Sequence, residues 1–248
     1  MFVPPGVLQS NIPYDAYIAS LSPVIWFKFQ DVNYNTGTNL TDSSGNARHI
    51  ARFGVSNISA GAAFRTTTTK SANMASVGSS SNGWGDNTNL VTGFVHGQTA
   101  WSYLFSLKRP TLAGSYSKFL GWRTNNSTSV TASWSQFSSG TGVVLGCSNS
   151  SGTDFENTQT NNDTDVHVYG ATFGGSIWRR FKDASSLGTT NIGTATVYTS
   201  AGSYLTIGGS MSSAGSANFM IDNFVLFNYQ LSVTQMNNAM TYYMAEII

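Results

Sequence analysis

Short apolar and aromatic runs, separated by stretches of Gly, Ser, Asn and Thr, recur along this chain from about position 23 onward. Val24-Ile25-Trp26-Phe27-Lys28-Phe29 is rich in β-branched and aromatic side chains and is stopped by a polar run from 30 to 41, as a buried strand would be. Farther on, Trp101, Tyr103, Phe105 and Leu107 alternate with Ser102, Ser106 and Lys108, while Val130, Ala132 and Trp134 alternate with Thr131 and Ser133. A period of two sends one set of side chains to a core and the other toward water, so the first set of each pair is predicted to be buried. Further strands are predicted over 118–122, 143–147, 166–173, 177–182, 204–207 and 219–227. No amphipathic helix lies between them to carry a crossover between parallel strands. The pattern therefore predicts an all-β fold, an antiparallel two-sheet sandwich or a barrel.

One short C-terminal helix is also signalled. Ser232 is placed to cap it, Gln235 completes a capping box, and Met236, Met240 and Tyr243 fall on one face. At 248 residues the sandwich accounts for the chain as one domain over 22–248. Residues 1–21 are weakly patterned and read either as an N-terminal arm lying against a larger body or a neighbouring subunit, or as a plain leader strand. The stretches 66–69 and 79–81 read as loops, and no internal repeat is present.

Composition narrows the function classes. Charged residues make up 9% of the chain and the net charge is +1, which leaves no electrostatic footprint for nucleic acid or an acidic membrane surface. Apolar residues at 40% and aromatics at 13% are enough for compact folding. Cys147 is the sole cysteine and lies in Val143-Val144-Leu145-Gly146-Cys147, the setting of a structural thiol. Met1-Phe2-Val3-Pro4-Pro5-Gly6 lacks the basic and apolar regions of a secretory signal, and no run approaches the roughly 18 apolar residues of a membrane span. The chain is expected to be soluble, without membrane insertion, and either to leave its cell without an encoded signal, to have had one removed, or to be released by lysis.

Several segments carry a family resemblance. Ser22-Pro23-Val24-Ile25-Trp26-Phe27-Lys28-Phe29-Gln30-Asp31, followed by Thr41-Asp42-Ser43-Ser44-Gly45-Asn46-Ala47-Arg48-His49, resembles the opening of laminin G-like jelly-roll domains. Leu205-Thr206-Ile207-Gly208-Gly209 and Ile221-Asp222-Asn223-Phe224-Val225-Leu226-Phe227-Asn228-Tyr229-Gln230-Leu231-Ser232 resemble the family's closing strands and the turn into its helix. Asp165-Val166-His167-Val168-Tyr169-Gly170-Ala171-Thr172-Phe173 and Trp178-Arg179-Arg180-Phe181-Lys182-Asp183-Ala184 resemble its paired middle strands. The resemblance runs in order over 22–245 and implies a concanavalin A-like jelly roll. Asn223 stands where the family usually has Glu, and Ala184 where Gly commonly follows the Asp.

The same sandwich occurs in β-glucan hydrolases, whose paired carboxylates must project from one strand face about 5 Å apart. Here the only two Glu, Glu156 and Glu246, are far apart, and Asp163 with Asp165 is the nearest approach to an alternating pair. No enzymatic activity is expected. His49, His96 and His167 show no paired ligand spacing for zinc, and His167, between Val166 and Val168, reads as facing outward. By resemblance, calcium is the expected cation, with Asp31, Asp42, Asn46 and Asp222 as its ligands. The alternative is that Asp42 and Asn46 form Asx turns and Asp222 accepts loop amides.

For a sugar ligand, Trp84 in Asn82-Gly83-Trp84-Gly85-Asp86-Asn87 reads as a stacking platform on an exposed loop, with Asn82, Asp86 and Asn87 around it. The alternative is an indole folded back over the sandwich. Trp26, Trp101 and Trp134 read as core. Together these features lead to the expectation of a non-enzymatic phage virion protein, of tail, fibre or capsid decoration type, forming homo-oligomeric and other virion contacts and gripping host-surface glycan. It would be assembled in host cytoplasm, with 1–21 and the apolar segment 240–248 buried against neighbours. The alternative is a free-standing, extracellular bacterial lectin or carbohydrate-binding module.

Overall fold

A computed structural model describes residues 12–30, 39–53, 58–77, 83–85, 98–110, 117–124, 131–137, 142–160, 163–193, 203–208 and 217–248. In chain order these hold α1 (Tyr14–Ser20), β1 (Ile25–Phe27), β2 (Ala51–Phe53), β3 (Ile58–Gly61), β4 (Ser71–Val77), β5 (Gly83–Gly85), β6 (Ala100–Lys108), β7 (Ser117–Thr124) and β8 (Thr131–Phe137). They continue with β9 (Gly142–Ser148), β10 (Asp154–Thr160), β11 (Val166–Gly174), β12 (Ile177–Lys182), β13 (Ser185–Asn191), β14 (Ser203–Ile207), β15 (Ala217–Phe227) and α2 (Val233–Met244). One sheet has eight strands, ordered β13-β12-β11-β6-β15-β4-β3 with β1 also paired to β15. The other has seven, ordered β10-β9-β8-β7-β14-β5-β2. The pairs are antiparallel, and the chain is an all-β two-sheet sandwich.

The inner faces build the main core. Trp101, Tyr103 and Phe105 of β6 and Tyr169 and Phe173 of β11 form a layer of stacked rings. From the opposite sheet Phe119 meets Phe105 edge-on at 5.7 Å and Phe219 at 5.2 Å. Their burial is the dominant favourable term, and the ring geometry adds a smaller increment.

A second apolar cluster lies on the outer face of the eight-stranded sheet. Leu104, Val168, Val225 and Phe227 are covered there by Tyr14 and Ile18 of α1 and by Met236, Ala239, Met240 and Tyr243 of α2. Gly170 on β11 makes this docking close, since a Cβ there would come within 2.8 Å of Met240 Cε and 2.9 Å of Met236 Sδ. The capping box at Ser232 and Gln235 is present as the sequence predicts.

This second layer changes several assignments made from the sequence. Ser102 and Ser106, placed on a water-facing side by alternation, are buried because helices cover that side. The Ser102 hydroxyl donates to Tyr229 O at 2.9 Å and accepts Leu231 N at 2.8 Å, pinning the turn that launches α2. Trp26 is also in this outer layer, its Nε1 donating to Asn223 Oδ1 at 2.9 Å. Residues 14–20 form α1, whose Tyr14 and Ile18 are fully buried against α2 in the outer cluster. Residues 1–11 lie outside the described residues. The segment 240–248 packs on its own domain, with Met240 and Tyr243 buried and Ile248 N donating to Phe64 O at 3.0 Å.

On β8 Ser133, Ser135 and Phe137 are buried, although alternation sends Ser133 toward water, and the expectation that Ala132 and Trp134 face the core falls on side chains outside the described ones. The Ser133 hydroxyl donates to Gly146 O at 3.0 Å, and the Tyr103 hydroxyl from the facing sheet lies 3.4 Å from it. Trp134 occupies the alternate register, between Gly121 and Gly146. Among the described residues no helix is long and apolar enough to cross a membrane.

Candidate ligand pocket at the Asp42 turn

Asp42 organises the turn that lies between β1 and β2. Its Oδ1 accepts Trp26 N and Ser44 N, each at 2.9 Å, and its Oδ2 accepts the Ser44 hydroxyl at 2.8 Å and Arg48 N at 2.9 Å. An aspartate accepting successive downstream amides forms an Asx turn, which a short acidic side chain makes without tertiary help. Gly45 and Ala47 take positive φ values of 87° and 54° to complete it. Asn46 ties the turn to the incoming strand, its Nδ2 donating to Pro23 O and Val24 O, each at 3.2 Å. Arg48 Nη1 donates to Val24 O at 2.8 Å, so the turn is held along one flank by backbone carbonyls.

Between this turn and the end of α1 lies a pocket of about 320 Å³. Pro23, Val24 and Trp26 form its apolar base, and Ser22, Ser43 and Asn46 form its rim. Apolar walls with a few placed polar groups are the usual makeup of a small-ligand site. The rim groups are neutral and exposed, and the Ser22 and Ser43 hydroxyls and Asn46 Oδ1 have no hydrogen-bond partner among the described residues. The Trp26 indole is 3% exposed, and Lys28 Nζ sits 4.0 Å from its ring centroid, so it contributes an apolar edge and no open stacking face. Lys28 is held there by Asp15 at 2.8 Å, which puts α1 in contact with the pocket wall.

The remaining sequence-predicted residues lie elsewhere. Asp222 is fully buried on β15: Arg65 Nε donates to its Oδ2 at 3.1 Å, Tyr243 Oη to the same oxygen at 2.8 Å, and Gln30 Nε2 to its Oδ1 at 3.2 Å. Burial pushes its carboxyl up, against the opposing pull of Arg65 and Tyr243. Asn223, the departure from the family's Glu, is a structural bracket: it accepts from Trp26 Nε1 and donates from Nδ2 to Tyr14 Oη at 2.6 Å. Asp31 lies outside the described residues.

The described members of the expected calcium set do not fit the ion. Calcium needs six to eight oxygens, whereas the carboxylates of Asp42 and Asp222 are engaged by protein donors, one of them a guanidinium. Among the described residues no group of three or more His, Cys, Asp or Glu is arranged to hold a metal.

Trp84 is not on a loop. It lies in β5, paired with Ile207 on one side and Arg52 on the other, an assignment its aromatic β preference favours despite the flanking glycines. Asn82, Asp86 and Asn87 lie outside the described residues. Cys147 is buried, and burial pushes its thiol up, away from thiolate chemistry.

Comparison with known proteins bears on the fold. No protein-family model matches the sequence, and a search of curated proteins finds no match. Among solved structures, the binding domain of botulinum neurotoxin DC in complex with SialylT superposes with a TM-score of 0.64 at 14% identity, over 91% of this chain and 52% of that one. The same binding domain in complex with rat synaptotagmin II gives 0.63 at 14% identity, over 91% and 52%. A botulinum neurotoxin type C structure, described by the dependence of cell entry on two ganglioside molecules, gives 0.63 at 13% identity, over 92% and 53%. This chain shares their β-sandwich fold. It spans about half the length of those chains, and at such identity the likeness is one of architecture.

Sequence reasoning missed one polar cluster. Asp163, weighed only as half of a carboxylate pair with Asp165, contacts His167 four residues on, and Asp183 reaches the same ring from the β12–β13 turn. The spacing of Asp163 and His167 was a visible signal. The part played by Asp183 was not, because it depends on a tight turn bringing β12 back beside β11.

Proposed function

We propose that this chain is a non-catalytic recognition module that holds a neutral glycan in the pocket between α1 and the Asp42 turn. The observation that carries this is the lining itself: apolar residues edged by Trp26 beside the exposed Ser22 and Ser43 hydroxyls and the Asn46 amide oxygen. Hydroxyl-rich ligands are held by such neutral donors and acceptors, with apolar contact beneath the sugar ring. The likeness to neurotoxin binding domains described with SialylT and with gangliosides supports recognition as the role of the fold. In this reading the module is displayed on a virion, a setting supported by the low-charge Ser, Thr, Asn and Gly-rich composition and the laminin G-like motifs. The same module as a free-standing lectin is distinguished by the absence of particle association.

A neutral-glycan array identifies the ligand, and calorimetry on the full chain then compares variants. Ser43→Trp, which fills the rim without touching the Asp42 hydrogen bonds, is expected to weaken binding at least tenfold, about 1.4 kcal/mol. Trp84→Ala is expected to leave it unchanged. Loss of binding in the Trp84 variant with retention in the Ser43 variant would move the site to β5 and overturn this assignment.

A further inference from the structure

His167 stands near the start of β11, on the side that Tyr169, Ala171 and Phe173 continue into the core, and not facing outward as its apolar neighbours suggest. Each ring nitrogen meets a carboxylate: Nδ1 lies 2.6 Å from Asp183 Oδ2, and Nε2 lies 2.8 Å from Asp163 Oδ1. A neutral imidazole has one N–H, so it can donate to only one of them, and its other nitrogen would set a lone pair against an anion. Both contacts together require the imidazolium.

We infer that Asp163, His167 and Asp183 form a proton-operated latch that is closed while the imidazole is charged and opens on the Asp163 side when it loses its proton. The two carboxylates are held unequally. Asp183 is anchored without the histidine, since its Oδ1 accepts Val168 N and its own N–H donates to Val168 O, each at 2.9 Å. Asp163 is 49% exposed against 22% for Asp183, and its Oδ1 also accepts Asp165 N at 3.0 Å. Water readily replaces the histidine at Asp163, and the turn through Asp165 then loses its tie to β11.

The groups facing the ring come from three directions. Asp163 and Asp165 lie on the approach to β11, Asp183 and Lys182 on the β12 side, and Tyr169 on β11 itself with its ring centroid 6.2 Å away. From β6, Lys108 pairs with Val166 on the neighbouring register, and Arg109 acts on Tyr169. Burial works against the imidazolium and so does Lys182, but the hydrogen bonds it donates to Asp183 and Asp163 outweigh them and hold the ring above its ordinary value. Burial likewise opposes the Asp163 carboxylate, but the hydrogen bonds it accepts from His167 and the Asp165 amide outweigh that and hold it below the usual carboxylate range.

The test is an NMR titration of the full chain that follows the His167 ring and the amides of Asp165 and Val168. The ring is expected to titrate above about 6.5, the ordinary histidine value, with the Asp165 amide shifting at the same midpoint and the Val168 amide unmoved. In Asp163→Asn the ring midpoint falls and the Asp165 response disappears. In His167→Gln the Asp165 response disappears while the domain stays folded. A ring midpoint at or below the ordinary value, or an Asp165 amide indifferent to it, overturns the latch. A Val168 shift without one at Asp165 overturns the direction of opening.

Discussion

Arg65 and His167 are each a cation set among carboxylates, at two places where the chain must be tied to itself, and they behave as opposites. The Arg65 side chain is fully buried, with Nε on Asp222 at 3.1 Å and Nη1 on Asp15 at 3.0 Å and Glu246 at 3.1 Å. The rings of Tyr14 and Tyr243 flank it at 4.8 and 5.0 Å. It joins α1, β15 and the tail after α2. A guanidinium keeps its charge throughout the accessible pH range, so this joint is permanent. His167 joins a turn and a hairpin at a site that solvent reaches on the Asp163 side, and an imidazole can lose its charge where a guanidinium cannot. The same electrostatic motif is a rivet where the cation cannot titrate and water is excluded, and a latch where it can titrate and water can replace it.

The comparison breaks most visibly at Arg65. Replacing Arg65 by Met strands the buried Asp222 carboxylate and is expected to destabilise the domain by about 3–5 kcal/mol in urea melts. Adding Asp222→Leu should recover part of that loss, because the pair removed together leaves no orphan charge. A single-variant loss below about 1 kcal/mol would show that this joint does not act as a rivet.

A smaller effect is expected from pH at His167. Its folded value is raised, so its contribution to stability is complete below the unfolded value near 6.5 and is lost as pH climbs through the folded value. Stability should therefore decline on the alkaline side of about 6.5 in the wild type, and this component of the decline should vanish in His167→Gln. An unchanged pH profile in that variant would remove His167 from the account of stability.

The smallest expected effect sharpens the geometry of the latch. The β12–β13 hairpin turns through Asp183 and Ala184 at φ values of 50° and 60°, a two-residue turn with both centres left-handed, where glycine is the favoured second residue. Ala184→Gly is expected to stabilise by about 0.5–1 kcal/mol, net of the greater freedom glycine has in the unfolded chain. It should leave the His167 titration unmoved. Destabilisation would mean that packing of the Ala184 methyl against the outer cluster outweighs its backbone strain.

Much of the architecture is legible because it is written in local rules. The alternation in β6, the apolar runs of β9, β11 and β15 and the Ser232–Gln235 capping box each depend on neighbours within a few residues. So does the Asx turn at Asp42, which the sequence allows as the alternative to a metal site. Helix α1 is not legible: it has seven residues, no side-chain cap and only Tyr14 and Ile18 as a buried stripe. Such a helix is stable only because α2 and β15 are there to receive it.

What the sequence determined by itself, then, was the place of the strongly patterned strands, β6, β9, β11, β12 and β15 among them, and that the fold is all-β, since a period of two and a turn-forming residue act at short range. Tertiary structure decided that Ser133 and Ser135 of β8 are buried, where the Tyr103 hydroxyl of the facing sheet lies beside Ser133. It decided that Ser102 lies under a helix, and that Asp222 answers to an arginine 157 residues away. Alternation assigns two faces but not what will cover each, and a carboxylate's role is set by the charges that folding brings within a few ångströms of it.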